Sequence, residues 1–289
     1  MQQLAGFEVP AAAWESQVLP RRMRTFRREW LDQLALSGEI AWGRLWGGGA
    51  APIRTTPICL LPRAELPHWM ELTAPPAYEE ISGSARDLLA ALDQHGAMFP
   101  RDLQKAARLL ESHFESGLQE LVARGAITCD SYGALRQLIV PPSRRRLPVL
   151  TVGRWSRFRR EDAAPAEART FTPAHVEFVA RQLLKRWGVV FRRVLMRERI
   201  PIPYRDLVRV YRTLELRGEI RGGRFIAGFD GEQYALPESI AMLRKVRRDY
   251  EQSLRAAVEV AAADPLNLVG ILTPDDRVAA GRRRNVAVG

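Results

Sequence analysis

Three segments of the chain share one layout, and this repeat restricts the fold more than any other feature. The segments are "WLDQLALSGEIAWGRLW" (30–46), "LQELVARGAITCDSYGAL" (118–135) and "YRTLELRGEIRGGRFIAG" (211–228). In each, apolar residues at helical spacing precede a glycine (Gly38, Gly125 or Gly218), and an alternation of apolar and polar residues follows it. A glycine after the last turn is typical of a left-handed helix cap, and alternation is typical of a strand. Each segment therefore predicts a helix that ends at the glycine and a β-hairpin after it.

The second and third copies have two further helical patterns upstream. In the second copy these are "SARDLLAALDQHG" and "FPRDLQKAARLL", with Ser84 as the N-cap. In the third they are "TPAHVEFVARQLLKRWG" and "VVFRRVLMRE", with Thr172 as the N-cap and Pro173 in the first turn. Three helices followed by a hairpin are the plan of a winged helix. Too few residues precede the first copy for a complete domain, so we expect the chain to begin inside a larger architecture.

These patterns predict an α+β fold that is mainly α, with tandem winged-helix units followed by the start of a small, incomplete β-barrel. The barrel strands are expected in "VEVAA" and "LVGIL", on either side of the turn "DPLN". The predicted domains are a partial winged-helix-like unit with a β-hairpin at 1–75, a winged helix at 76–140, an arginine- and proline-rich linker or strap at 141–170, a winged helix at 171–237, and a helix plus the incomplete barrel at 238–289.

The charge of the chain favours an anionic partner. Lysine and arginine together number 44 against 33 acidic residues, which gives a net charge of +11. A strongly basic balance is typical of proteins that bind nucleic acid. Almost all of these cations are arginine, however, and a GC-rich genome produces the same bias. Whether the chain binds nucleic acid must therefore be judged from where the arginines lie, and not from how many there are.

The third copy places its arginines in a pattern. Arg205, Arg209 and Arg212 are spaced to share one face of its last helix, and Arg221 and Arg224 follow in the hairpin. A winged helix usually presents this helix and its wing to nucleic acid, so we predict that the five arginines bind phosphates. The alternative is an ordinary solvated face. In the second copy the corresponding helix carries Glu115 and Glu120, so that helix is expected to pack on a neighbour.

The first copy suggests a different contact. Trp42 and Trp46 lie in its hairpin, close to the basic stretch "RRMRTFRREW" (21–30). An exposed tryptophan beside arginines is suited to stacking on an unpaired base. The alternative is that each ring belongs to the core.

Catalytic and metal-binding patterns are scarce. The sequence has neither a GxxxxGK[ST] phosphate loop nor a DExH or DExD box, so we expect no ATP hydrolysis by this chain and no cofactor on it. Cys59 and Cys129 are isolated, and the histidines form no motif, so no metal ligand and no catalytic residue are predicted. No signal peptide and no long apolar stretch are present, which favours the cytoplasm and no membrane contact.

Several motifs resemble a known family. "EVPAAAWESQVLPRRM", "LELRGEIRGGRFIAGFDGEQYALPESIAMLR" and "AAADPLNLVGILTP" closely resemble the region after the motor domains of Lhr (large helicase-related) helicases, which are bacterial superfamily-two DEAD/DEAH-type helicases. The resemblance implies winged-helix units and a small β-barrel with which two RecA-like motors grip the tracking strand. It also implies ATP-driven 3′-to-5′ unwinding of DNA or RNA:DNA duplexes, linked to DNA repair. For the hairpin tryptophan it implies a base-stacking role at Trp42, with Trp46 as the alternative.

The resemblance stops short of the motors. ATP and Mg²⁺ belong to the motor domains, whose motifs this sequence lacks, and the barrel of the family continues beyond the strand that "RRRNVAVG" resembles. We therefore predict the nucleic-acid-binding C-terminal region of an Lhr-type ATP-dependent 3′–5′ DNA helicase involved in DNA repair. Its expected partners are single-stranded DNA or an RNA:DNA duplex, and RecA-like motor domains in cis or in trans. The alternatives are a DNA glycosylase-like repair module, with Asp264 as the candidate carboxylate, and a protein–protein interaction module.

Overall fold

The structure is a computed structural model, and it describes residues 1–49, 51–74, 80–145, 150–158, 170–252, 258–280 and 285–288. The chain divides into two compact units. Unit 1 contains Met1 and Gln3–Arg169, and unit 2 contains Gln2 and Thr170–Gly289. Within the described residues, no helix combines the length and the apolar character that a membrane-spanning segment requires.

Unit 1 combines short helices with small antiparallel sheets. Its helices are α1 (Leu19–Arg22), α2 (Arg28–Leu36), α3 (Leu66–Leu72), α4 (Gly83–His95), α5 (Pro100–Ala106), α6 (Glu111–Arg124) and α7 (Tyr132–Ile139). Its strands are β1 (Val9–Pro10), β2 (Ile40–Gly43), β3 (Pro57–Pro62), β4 (Ile127–Cys129) and β5 (Trp155–Arg157).

The first copy of the repeat forms a helix and a hairpin as predicted. α2 buries Leu31 and Ala35, and the chain turns at Gly38, which has φ +78°. β2 then pairs with β3, and β1 extends the sheet in the order β1-β3-β2. Every residue of β2 is buried, so both faces of this strand are covered.

The second copy differs from its prediction after the last helix. Gly125 caps α6 in the left-handed conformation, as expected, but β4 is followed by α7 instead of a returning strand. The partner of β4 is β5, which lies in the segment predicted as a linker. The linker prediction at 141–170 is therefore wrong for residues 155–157, because the buried Trp155 ties this stretch into the sheet. Residues 146–149 and 159–169 lie outside the described part of the chain.

The N-cap of α4 also differs from the residue that the sequence analysis predicted. α4 begins after Ser82, whose side-chain oxygen accepts a hydrogen bond from the amide of Ala85 at 3.2 Å. Ser82 is therefore the N-cap, and the expectation for Ser84 is wrong, because the hydroxyl two residues earlier reaches the free amide of the first turn.

Unit 2 is built around the third copy. Its helices are α8 (Pro173–Trp187), α9 (Tyr204–Leu216) and α10 (Pro237–Glu251), and its strands are β6 (Val189–Val190), β7 (Arg221–Gly223), β8 (Gln233–Ala235), β9 (Val258–Ala261) and β10 (Asn285–Val288). Thr172 caps α8 by accepting from the amide of His175, as predicted. α9 ends before Gly218, which has φ +78°. β6, β8 and β7 form one sheet with β8 in the centre, which completes a winged helix.

The C-terminal part does not close into a barrel. β9 and β10 form a two-stranded antiparallel sheet, and none of the sheets among the described residues is closed. The stretch "LVGIL" was expected to be a strand, but it contains successive turns in which the amides of Ile271 and Leu272 bond the carbonyl of Leu268. Gly270 in this stretch has φ +72°, which is incompatible with an extended strand. The predicted barrel is therefore not confirmed.

Candidate nucleic-acid interface

The last helix of the unit 2 winged helix presents its arginines to solvent. The side chains of Arg205, Arg209 and Arg212 are 80%, 76% and 61% exposed. Arg221 and Arg224 are exposed on β7 and just after it. We call these five residues the arginine face. Their predicted exposure is confirmed, whereas their binding of phosphate stays a prediction.

The orientation of α9 follows from its apolar positions. Leu207, Tyr211 and Leu214 are buried, and the hydroxyl of Tyr211 donates to the carbonyl of Ala180 in α8 at 3.2 Å. The ring of Tyr211 also stacks on Tyr234 of β8, with ring centroids 5.1 Å apart. Because this side of the helix is held against α8 and the sheet, the arginines are turned outward.

Carboxylates accompany the arginine face. Asp206 lies 3.0 Å from Arg209 and 3.8 Å from Arg205, and Glu232 lies 2.7 Å from Arg212. The hydrogen bond from Arg212 lowers the pKa of Glu232, and the same bond raises the pKa of Arg212. The arginines of these pairs are exposed, and pairs of this kind are weak in water because solvent and salt screen them. A phosphate group can therefore compete for the same arginines.

The wing is joined to α9 by several polar contacts, one of which is the hydrogen bond from the hydroxyl of Tyr204 to the carbonyl of Glu232 at 2.8 Å. Arg212 reaches Glu232 at the start of β8, and the carboxylate of Glu215 accepts from the amide of Gly222 at 2.8 Å. A cavity of about 430 Å³ lies here, lined by Glu215, Gly222, Gly223, Arg224, Gly231, Glu232 and Tyr234. Arg224 thus lines this cavity, and Arg212 binds Glu232 in its wall, so one arginine of the helix and one of the wing meet at the same site.

Gln233 organises the tip of the wing, and the sequence analysis did not single it out. Its side chain is fully buried and accepts from the amides of Phe225 and Ile226. It also donates to the carbonyls of Ile226 and Phe229. The side chain of Gln233 thus makes the hydrogen bonds to this loop that a neighbouring strand would otherwise make. A buried glutamine in an alternating segment gives no sequence signal of such a role.

Trp42 is a core residue, and the stacking interpretation is wrong for it. Its ring is 0% exposed and lies edge-on to Tyr132 at 6.4 Å and to Trp155 at 6.1 Å. Its indole nitrogen donates to the carbonyl of Ser131 at 3.3 Å. Because both faces of β2 are covered, no ring face remains for a base.

Trp46 is buried as well, so the alternative stacking residue fails for the same reason. It is 7% exposed, and its ring lies edge-on to Trp69 at 6.3 Å. The indole nitrogen donates to the carbonyl of Gly6 at 2.9 Å. β2 ends at Gly43, so Trp46 lies beyond the strand that holds Trp42.

The basic stretch 21–30 contains the tryptophan that is exposed. Trp30 is 38% exposed on α2, and the guanidinium carbon of Arg27 lies 6.0 Å from its ring centre. The sequence signal was present in "RRMRTFRREW", where an aromatic residue follows a run of arginines.

The acidic side chains of α6, the last helix of the predicted second copy, form contacts within unit 1. Glu115 is 6% exposed and forms a buried ion pair with Arg145. Glu120 pairs with Arg124 at 3.2 Å and accepts from the amide of Ser82. The carboxylates of α6 are therefore structural, in agreement with the expectation that this helix does not face phosphate.

Asp264, the candidate carboxylate for glycosylase chemistry, is 1% exposed. Its side chain accepts from the amide of Leu266 at 2.8 Å, as an aspartate does at the start of a turn. Its carbonyl accepts from Arg197 at 3.2 Å. The side chain thus has a structural role in the "DPLN" turn. Among the described residues no cluster of acidic, cysteine or histidine side chains suits a metal ion.

Comparison with known proteins gives the family. Residues 170–255 match a winged-helix domain of the large helicase-related protein, and residues 1–63 match another winged-helix domain of that protein. The Lhr helicase/uracil glycosylase of Escherichia coli (strain K12) is 30% identical over 302 residues, which cover 95% of this chain. This chain belongs to the Lhr family. The resemblance to the C-terminal region of Lhr helicases is thereby confirmed.

A second relative agrees. The Lhr helicase/probable uracil glycosylase of Mycolicibacterium smegmatis (strain ATCC 700084 / mc(2)155) is 28% identical over 299 residues, or 93% of this chain. This Lhr region spans 19% of the length of each of the two relatives. The match at 170–255 contains the whole arginine face, and the match at 1–63 contains Trp30, Trp42 and Trp46.

Proposed function

We propose that this Lhr region is the nucleic-acid-binding part of an ATP-dependent 3′–5′ DNA helicase that acts in DNA repair. In this proposal the arginine face contacts the phosphates of the tracking strand, as single-stranded DNA or within an RNA:DNA duplex. RecA-like motor domains, in cis or in trans, bind ATP and Mg²⁺ and move the strand past it in the cytoplasm. The observation that carries the proposal is the exposed stripe of Arg205, Arg209 and Arg212 beside the wing.

Electrostatics supports phosphate as the ligand. The carboxylates that pair with the stripe are the half-buried Asp206 and the exposed Glu232, and pairs with such exposed arginines are weak in water. Each phosphate that is neutralised releases condensed counterions. The slope of the logarithm of the binding constant against the logarithm of the salt concentration then becomes more negative by about 0.9 on duplex and about 0.7 on single strands. Five contacts correspond to a slope of about −4.5 on duplex and about −3.5 on single strands.

The test is a triple substitution. Arg205→Ala, Arg209→Ala and Arg212→Ala together should weaken binding about equally for all sequences and flatten the salt slope by about two to three. The fold should survive, because none of the three side chains is buried. Binding is measured by titration of labelled single-stranded, duplex and RNA:DNA probes at several salt concentrations, with a thermal melt of each variant.

A matched control removes the same charge elsewhere in unit 2. Arg244, Arg247 and Arg248 are exposed on α10, and Arg247 pairs with Glu251 at 3.0 Å within that helix. Their triple alanine variant should keep the wild-type salt slope. If both triple variants flatten the slope equally, total charge and not the arginine face controls binding, and the proposal is rejected.

A second candidate function is removal of uracil from DNA. The names of both relatives include uracil glycosylase, in one of them as probable. Such enzymes act on a base that lies outside the stack, and the notable carboxylate here is the buried Asp264. Asp264→Asn keeps an oxygen that can accept from the amide of Leu266 but removes the negative charge.

The assay for this candidate uses a uracil-containing single strand, followed by alkaline cleavage at abasic sites. The activity should be present in the wild-type chain, absent from Asp264→Asn and unchanged in Asp275→Asn, which alters an exposed aspartate of the same region. Strand cleavage that is equal in all three proteins would exclude Asp264 as the catalytic carboxylate.

A further inference from the structure

The basic stretch 21–30 borders an apolar cavity in unit 1. The cavity has a volume of about 520 Å³, and Leu19, Met23, Phe26, Trp30, Leu31 and Leu34 contribute most of its apolar wall. Leu31 is buried at the base, whereas Met23 and Trp30 are 39% and 38% exposed. A volume of this size falls in the range of ligand pockets and admits an aromatic ring.

Three exposed arginines neighbour the wall residues Met23, Phe26 and Trp30 in the sequence, whereas the polar side chains that line the cavity itself are Gln33, Ser37 and Glu39. Arg24, Arg27 and Arg28 are exposed, and Arg27 lies over the ring of Trp30 at 6.0 Å. Arg27 and Arg28 are at the N-terminal end of α2, where the helix dipole makes positive charge unfavourable. These two arginines therefore do not stabilise their own helix.

We propose that this cavity binds single-stranded nucleic acid, with an unpaired base stacked on Trp30 and the neighbouring phosphates held by Arg24, Arg27 and Arg28. A nucleotide has both parts that the site offers to bind, a flat apolar ring and an adjacent anion. Bases stack on aromatic side chains whatever their identity, so the contact is independent of sequence. Duplex DNA cannot use the site, because its bases are already stacked.

The inference adds a second site, in unit 1, to the proposed function and assigns it a different chemistry. The arginine face acts through charge on duplex and single strands alike, whereas the Trp30 site acts through stacking on single strands. Failure of one can therefore be told from failure of the other. An unchanged salt slope in the α9 triple variant rejects the arginine face and leaves the Trp30 result valid.

The test compares Trp30→Ala, Trp30→Phe and Leu36→Ala. Trp30→Ala should raise the dissociation constant for a short oligo-dT strand about tenfold, leave duplex binding unchanged and keep the salt slope. Trp30→Phe should keep most of the affinity, since a phenyl ring also stacks. Leu36 is 62% exposed on the same helix and is not among the residues of the cavity wall, so Leu36→Ala should bind like the wild type.

A second measurement covers the case in which Trp30→Ala does not fold. In that case Arg24→Gln with Arg27→Gln, both at exposed positions, should flatten the single-strand salt slope by about one to two. Photocrosslinking of a 5-iodouracil strand to the wild-type chain should label the peptide that contains Trp30.

Two results would overturn the inference. One is a folded Trp30→Ala variant with wild-type affinity for oligo-dT. The other is an acidic amphipathic peptide that binds the wild type and not Trp30→Ala, while the affinity for oligo-dT is equal in both. That second result would identify the cavity as a protein-docking groove.

Discussion

Arginine in this chain serves two purposes, and the environment of each side chain separates them. Arg186 is 2% exposed and pairs with Glu198, and Arg145 pairs with the buried Glu115. Arg136 binds both Glu15 at 2.6 Å and Asp32 at 3.1 Å, and the hydrogen bond that it donates to Glu15 raises the pKa of its guanidinium. These residues hold unit 1 or unit 2 together and are not free to bind phosphate.

At the residue scale, Trp42 provides a first prediction. Trp42→Ala should lower the free energy of unfolding by about 3–5 kcal/mol, because a fully buried ring with two aromatic neighbours leaves a large cavity. Single-strand affinity per folded molecule should stay the same. Denaturant unfolding and oligo-dT titration measure the two quantities, and Trp30→Ala is the control, with the opposite pattern expected. A loss of affinity without a loss of stability would contradict the core assignment.

Glu232 provides a second prediction at this scale. The carboxylate of Glu232 is ionised at neutral pH and competes with phosphate for Arg212. Because the hydrogen bond from Arg212 lowers the pKa of Glu232, the pair is lost only as the pH falls through that lowered pKa. Glu232→Gln should strengthen binding to duplex and single strands by up to about fivefold, because it releases Arg212 from a weak exposed pair.

The control for this substitution is Glu219→Gln. It removes the same charge from the winged helix, but its described hydrogen bond is to Arg181, which is outside the arginine face. Titration at one salt concentration suffices for the comparison. Equal affinity gains in the two variants would mean that total charge, and not the release of Arg212, determines the effect.

At the element scale, the glycine that follows each repeat helix is required by the backbone, but the space around it differs. Gly125 has φ +75°, and a side chain there would place its first carbon 2.6 Å from the carbonyl oxygen of Arg44. Gly218 has φ +78° and no atom within 4 Å of that position. The same cap is therefore closely packed in unit 1 and open in unit 2.

Two alanine variants test this difference. Gly218→Ala should cost about 1–2 kcal/mol, the strain of a left-handed alanine alone. Gly125→Ala should cost about 3 kcal/mol or more, because the backbone of Arg44 must also move. Denaturant unfolding of both variants gives the comparison. Equal losses would mean that the contact between Gly125 and Arg44 relaxes without cost.

At the scale of the whole molecule, the chain carries candidate binding surfaces and lacks the sequence motifs of a motor. We expect no ATPase activity, with or without DNA, because the sequence has no phosphate loop and no DExH or DExD box to hold Mg²⁺ and a γ-phosphate. A coupled assay of the purified chain with single-stranded DNA tests this, with the Arg205, Arg209 and Arg212 triple variant in parallel. Turnover that persists through a second purification would contradict the prediction.

Local sequence patterns determined the helices, their glycine caps and the outward stripe of α9. Each of these depends on interactions within a few residues, such as the spacing of Leu207, Tyr211 and Leu214 or the positive φ of Gly218. The family is also carried by contiguous motifs, such as "GEIRGGRFIAGFDGEQYALP". In unit 2 the same holds for α8, α9 and the wing, but the prediction of a helix at "VVFRRVLMRE" is wrong, because this stretch forms β6 and a short 3₁₀ turn at Val194–Arg197.

Tertiary structure decided which aromatic residues are buried and which strands pair. Trp42 and Trp30 have similar sequence surroundings, yet β4, β5 and α7 cover Trp42 and leave Trp30 exposed. The pairing of β4 with β5 joins residues on opposite sides of α7, and no local pattern encodes such a contact. Burial and strand pairing depend on parts of the chain that are distant in sequence, so they are fixed only when the whole unit packs.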